Sequence, residues 1–94
     1  MINGSFNIKS MASQATSACD KVCYLIDEAK GSKKFLNNLE RIKKIATGVI
    51  LSENPMEKIG DASRIYKACC AKKNDTGEFQ HPIYEKIADL FKIE

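Results

Sequence analysis

IKSMASQATSACDKVCYLIDEA, residues 8–29, is the stretch on which the fold turns. Ile8, Ala12, Ala15, Cys19, Val22, Ile26 and Ala29 recur in it at alternating steps of four and three. That spacing draws one apolar stripe along a helix and does not suit the strict alternation of a half-buried strand. Met11, Ala18 and Leu25 widen the stripe, and Asp20, Lys21, Asp27, Glu28 and Lys30 fill much of the remaining circumference. Gly31 stands where a left-handed residue would close the helix.

The pattern repeats downstream. Ser32 is placed to cap a second helix, in which Phe35, Leu39, Ile42, Ala46 and Val49 again step by four and three. Gly48 weakens the end of that helix, and Val49, Ile50 and Leu51 carry a competing strand propensity. Asn54-Pro55-Met56-Glu57 is the sharpest boundary in the chain. Asparagine caps, proline suits the first helical position, and Glu57 can reach back toward the cap. Ile59, Ala62, Tyr66 and Cys69 then align, flanked by Met56, Ile65 and Cys70. Asn74-Asp75-Thr76-Gly77 is turn chemistry, and Pro82 opens a last helix with Ile83, Ile87 and Leu90 in one row and Tyr84, Ala88 and Phe91 in the next.

Four helices, over roughly 10–30, 33–52, 55–72 and 82–92, joined by short connections, predict an all-α, compact up-down four-helix bundle. A flexible polar leader is expected over 1–9 and a single helical domain over 10–94. At 94 residues one core is the default, and 44% hydrophobic with 29% charged residues suffices for it. The longest apolar run lies within 46–51, far short of the roughly 20 residues needed to span a bilayer. The N-terminal residues lack the basic and apolar regions of a secretory signal, so a cytoplasmic protein with free thiols is expected. Residues 1–18 contain serine and threonine but no acid. In composition they resemble the export signals of bacterial effectors, which would imply transfer into a host cell without a cleaved peptide.

Candidate chemistry is sparse. Cys19 and Cys23 lie one turn apart on one helix face, and Cys69 and Cys70 are neighbours on another helix. If the two pairs met inside the bundle, four thiolates could take Zn²⁺ or Cu⁺. Against this, the spacing is not that of a zinc ribbon, and adjacent helical residues diverge by about 100°. Buried thiols acting as small hydrophobes are the simpler expectation. His81, the one histidine, has no partner in sequence and is better placed to cap the last helix than to act as a base. No phosphate loop, paired carboxylates or metalloprotease motif is present, so neither an enzyme nor a cofactor is expected.

Charge is distributed unevenly. Residues 30–44 carry Lys30, Lys33, Lys34, Arg41, Lys43 and Lys44 against Glu40 alone, and residues 58–73 are also basic, whereas the chain from Asn74 onward is net acidic. A basic face could attract an acidic protein or a phosphate backbone. Lysine outnumbers arginine 13 to 2, and no aromatic residues alternate with the cations, which argues against nucleic acid. The sequence therefore points to a non-enzymatic module that binds another protein, as an adaptor, an immunity or antitoxin partner or a small effector would. A thiolate metal bundle and a nucleic-acid binder using residues 30–44 are the alternatives. The seven-residue spacing of the first two helices would equally allow a homodimer.

Overall fold

The computed structural model describes residues 7–91. It is an all-α four-helix bundle of α1 (Ile8–Glu28), α2 (Lys33–Leu51), α3 (Pro55–Cys70) and α4 (Pro82–Leu90). No described helix is long and apolar enough to cross a membrane. Asn7 caps α1 by accepting the Ser10 N–H, so 7–9 belong to the first helix and its cap rather than to a loose leader; residues 1–6 lie outside the described part.

α1, α2 and α3 each pack on the other two, and α4 lies across α1 and α3. The ion pair Lys43–Asp27 and the contact of Cys23 with Thr47 set α1 and α2 antiparallel. Lys58, near the start of α3, reaches Thr16 in the first half of α1, and Asp61, three residues on, bears on Cys19, three residues on from Thr16, so α1 and α3 run the same way. The core takes Cys19, Val22 and Ile26 from α1, Leu39, Ala46 and Val49 from α2, Ile65 and Cys69 from α3, and Ile83, Tyr84 and Ile87 from α4. Ala12, Ala15 and Ala18 supply the buried positions in the first half of α1. Such small side chains let neighbouring helices approach closely there.

Lys58 joins three helices. Its ammonium donates to Thr16 Oγ1 at 2.8 Å, to the Val49 carbonyl at 2.7 Å and to the Ile50 carbonyl at 3.5 Å. Those carbonyls belong to the last turn of α2 and have no partner within their own helix. A cation there satisfies them and complements the negative end of the helix dipole. This anchorage, with Val49 fully buried, keeps 49–51 helical despite their strand propensity.

Caps follow the sequence, with changes in detail. Ser32 accepts the Phe35 N–H, and Asn54 accepts those of Met56 and Glu57. Glu57 does not reach the Asn54 N–H itself. Ser52 stands between them, accepting from Asn54 N–H and donating to the Glu57 carboxylate. α3 closes at Cys70, because 72–80 form a small antiparallel turn: Asn74 N–H donates to Glu78, Gln80 N–H to Lys72, and Lys73 pairs with Phe79. Gly77 has φ +86 in that turn, a conformation L side chains rarely adopt.

Gly31 differs from expectation. The chain leaves α1 at Ala29 in an extended conformation, and Gly31 has no positive φ. Its value is space: a Cβ there would stand 2.6 Å from Cδ2 of Phe35. That ring is held in turn by His81, at 4.5 Å between centroids, and edge-on by Tyr84 at 6.1 Å.

Lys58→Met is expected to lower unfolding free energy by about 1–3 kcal/mol in urea titrations, since it strands two carbonyls. Thr16→Val, which removes one acceptor of three, should cost less. Gly31→Ala should destabilise by about 1 kcal/mol, overpacking outweighing the smaller loss of unfolded-state entropy. Gly48→Ala should do the opposite, gaining about 0.5–1 kcal/mol, because nothing lies within 4 Å of an added Cβ there.

Candidate functional site

Three groups of residues bear on function: the thiols, His81 and the cations of α2.

The four cysteines are free and fall in two places. Because α1 and α3 are parallel, with Thr16 beside Lys58, Cys69 lies about two turns, or roughly 12 Å, further along the bundle than Cys19. The charges that bear on Cys19 from α3 are Lys58 and Asp61, whereas Cys69 has Cys70 and Tyr84 beside it. Among the described residues no group of three or more His, Cys, Asp or Glu side chains is placed to hold a metal ion. Cys19, Cys23, Cys69 and Cys70 are thus not brought together.

Burial pushes the Cys19 thiol up to about 12, with the neighbouring Cys23 adding to the effect. Burial likewise pushes Cys69 up to about 12. Both are protonated at neutral pH and serve as small core hydrophobes, not nucleophiles. Tyr84 is raised as well, first by burial and then by Cys69, with the Asn38 side chain acting in the opposite sense.

His81 caps α4: its Nδ1 accepts the Ile83 N–H at 3.1 Å while the ring lies tilted on Phe35. The imidazole therefore fastens the last helix to the start of α2, a structural task.

The predicted basic segment divides. Lys43 turns inward to Asp27 at 2.5 Å, and that hydrogen bond raises its pKa. Lys33, Lys34, Arg41 and Lys44 are exposed on α2, as is Lys30 in the preceding connection. Lys33, Asn37, Arg41, Lys44, Gly48 and Leu51 run in steps of three and four down the side of α2 that faces away from the bundle. No ion pair among the described residues involves Lys30, Lys33, Lys34, Arg41 or Lys44. The second basic segment, 58–73, is used differently. Lys58 holds α2, Arg64 pairs with Asp61 at 3.3 Å, and Lys73 lies 4.8 Å over the Phe79 ring.

Several apolar side chains lie on the surface against expectation, among them Ile8, which opens the α1 stripe yet is 44% exposed at the helix start. Leu51 is 74% exposed at the end of the α2 row, and Met56, expected to flank the core, is 61% exposed across the short α2–α3 connection. The signal was present: Leu51 follows Lys33 by 18 residues, five helical turns, and Met56 precedes the core residue Ile65 by nine, half a turn out of phase. A shallow depression between α1 and α4 is lined by Asp20, Lys21, Tyr24, Leu25 and Leu90. The chain matches no protein-family model, no curated protein and no solved structure.

In native protein at neutral pH, alkylating reagents should modify the half-buried Cys23 and Cys70 and reach Cys19 and Cys69 only as fast as the fold opens, as peptide mass mapping would show. The raised thiol pKa values also fix a sign. The folded state keeps both thiols protonated where an unfolded chain ionises them, so their contribution is complete below about pH 9 and declines as pH rises toward 12. Wild type should lose stability across that window more steeply than Cys19→Ala/Cys69→Ala, by up to about 1.4 kcal/mol per pH unit per thiol.

Proposed function

We propose that this chain is a non-enzymatic protein-binding module whose docking surface is the outer face of α2. One observation carries the proposal: five cations, Lys30, Lys33, Lys34, Arg41 and Lys44, stand exposed on α2 and the turn before it, and none has an ion-pair partner. On α3, by contrast, Lys58 is bonded to both α1 and α2, and Arg64 is paired with Asp61. The outer α2 residues make no comparable contribution to packing. Such a face generates a local positive potential, which favours encounter with an oppositely charged surface. Gly48, with open space around it, leaves part of the helix backbone approachable.

The thiol-metal reading has less support, because among the described residues no three His, Cys, Asp or Glu side chains are grouped to hold a metal ion. Binding through the face of a rigid helix also needs no reacting group, which accords with the buried, protonated state of Cys19 and Cys69 and the capping role of His81.

The test is affinity capture from extracts of the cells that make the protein, comparing wild type with Lys33→Glu/Arg41→Glu/Lys44→Glu. These side chains are solvated, so the variant should keep wild-type helicity by circular dichroism. A partner retained by wild type and lost by the variant, with recovery falling as salt rises, is the expected result. Equal capture by both proteins would refute the α2 face as the docking surface.

A further inference from the structure

We infer that the α2 face, on the docking reading just given, receives an acidic protein segment carrying an apolar residue at one end, and not a nucleic acid. Two independent features of the surface lead there.

The first is the chemistry of the charges. Four of the five unpaired cations are lysines, which act as hydrated point charges, while Arg41 alone offers the planar fork suited to bidentate phosphate contact. Glu40 is exposed next to Arg41, on the same side of α2 as Lys33 and Lys44. A carboxylate in that position repels a phosphate backbone, whereas a protein segment can meet it with a polar side chain. No aromatic residue lies along the row to stack on a base.

The second is where the exposed hydrophobic residues fall. Of the four large ones among the described residues, Leu51 and Met56 flank the short α2–α3 connection, where α2 finishes and α3 begins. The row of cations leads directly to Leu51, the most exposed of them at 74%. An apolar side chain at that place gives nothing to a phosphate backbone. For a protein segment it is an anchor, and burying apolar anchors beside a polar surround is how interfaces concentrate their binding energy. Lys33 to Leu51 spans roughly 27 Å along the helix, the length of five turns of a partner helix. The occupant is an acidic segment of that length, which a helix of about 18 residues reaches, with its carboxylates toward Lys33, Lys34, Arg41 and Lys44, a polar residue toward Glu40 and an apolar residue against Leu51.

Fluorescence anisotropy against three labelled probes tests this. The first is an acidic helical peptide of about 18 residues ending in two leucines, matched in length to the face. The second is that peptide with both leucines changed to glutamine, and the third is a duplex DNA of similar length. The expected order is the anchored peptide tightest, the glutamine peptide about tenfold weaker, and DNA no better than the latter. Leu51→Ser should weaken the anchored peptide by about the same factor and leave the glutamine peptide unchanged. Lys33→Glu/Arg41→Glu/Lys44→Glu should weaken both peptides.

Equal binding of DNA, equal binding of the two peptides, or indifference to Leu51→Ser would overturn the inference. So would a failure of the anchored peptide to bind. The capture experiment separates the two levels: if partner capture still depends on the α2 charges, only the assignment of the occupant has failed. If it does not, the docking surface has failed with it.

Discussion

The ammonium of Lys58 governs the geometry of this bundle. By holding Thr16 of α1 together with the Val49 and Ile50 carbonyls of α2, it fixes the level at which α3 stands beside the other two helices. A lysine has three N–H donors, and here they meet three acceptors from two helices. The consequence reaches well beyond that contact. With α1 and α3 parallel and level at Thr16 and Lys58, Cys19 and Cys69 lie in different layers of the core. Among the described residues no three such side chains are placed to share a metal ion.

The same chain thus uses its positive charge in two ways. On α3 and the turn after it, Lys58, Arg64 and Lys73 satisfy carbonyls, a carboxylate and an aromatic face. On α2 only Lys43 does so, by meeting Asp27 across the α1–α2 contact. The two basic segments look alike in composition, and the difference between them is one of angle. Lys43 sits at the edge of the buried stripe and faces a neighbour; Lys33, Arg41 and Lys44 are carried round to the solvent side by the helical twist. Leu51 is on that side for the same reason, which makes the outer face of α2 basic along its length and apolar at its end.

α4 shows how a nine-residue helix is retained. Its four buried residues supply the apolar contact, but its N-terminus is attached through a relay of rings. Gly31 leaves room for Phe35, Phe35 receives His81 and Tyr84, and His81 caps the helix it precedes. Proline at the first helical position and histidine at the cap were both readable from local rules. The dependence of Phe35 on a missing Cβ four residues earlier was not, since it arises only when the α1–α2 connection folds back over the ring.

What the sequence determined by itself is the set of helices and their buried stripes. The four-and-three spacing in α1 and α2, the Asn54-Pro55 start of α3, the turn at 74–77 and the Pro82 start of α4 all reflect forces between near neighbours in the chain, which are local and therefore legible. The outward position of Leu51 and Met56 was legible too, from helical phase alone, although strand propensity at 49–51 obscured the first. Tertiary structure decided the rest: the parallel register of α1 and α3, the separation of the thiols, the use of Lys58 as an anchor and the inward turn of Lys43. These depend on which faces of distant segments meet and at what height, and no local spacing encodes a distance between two helices that are forty residues apart in the chain.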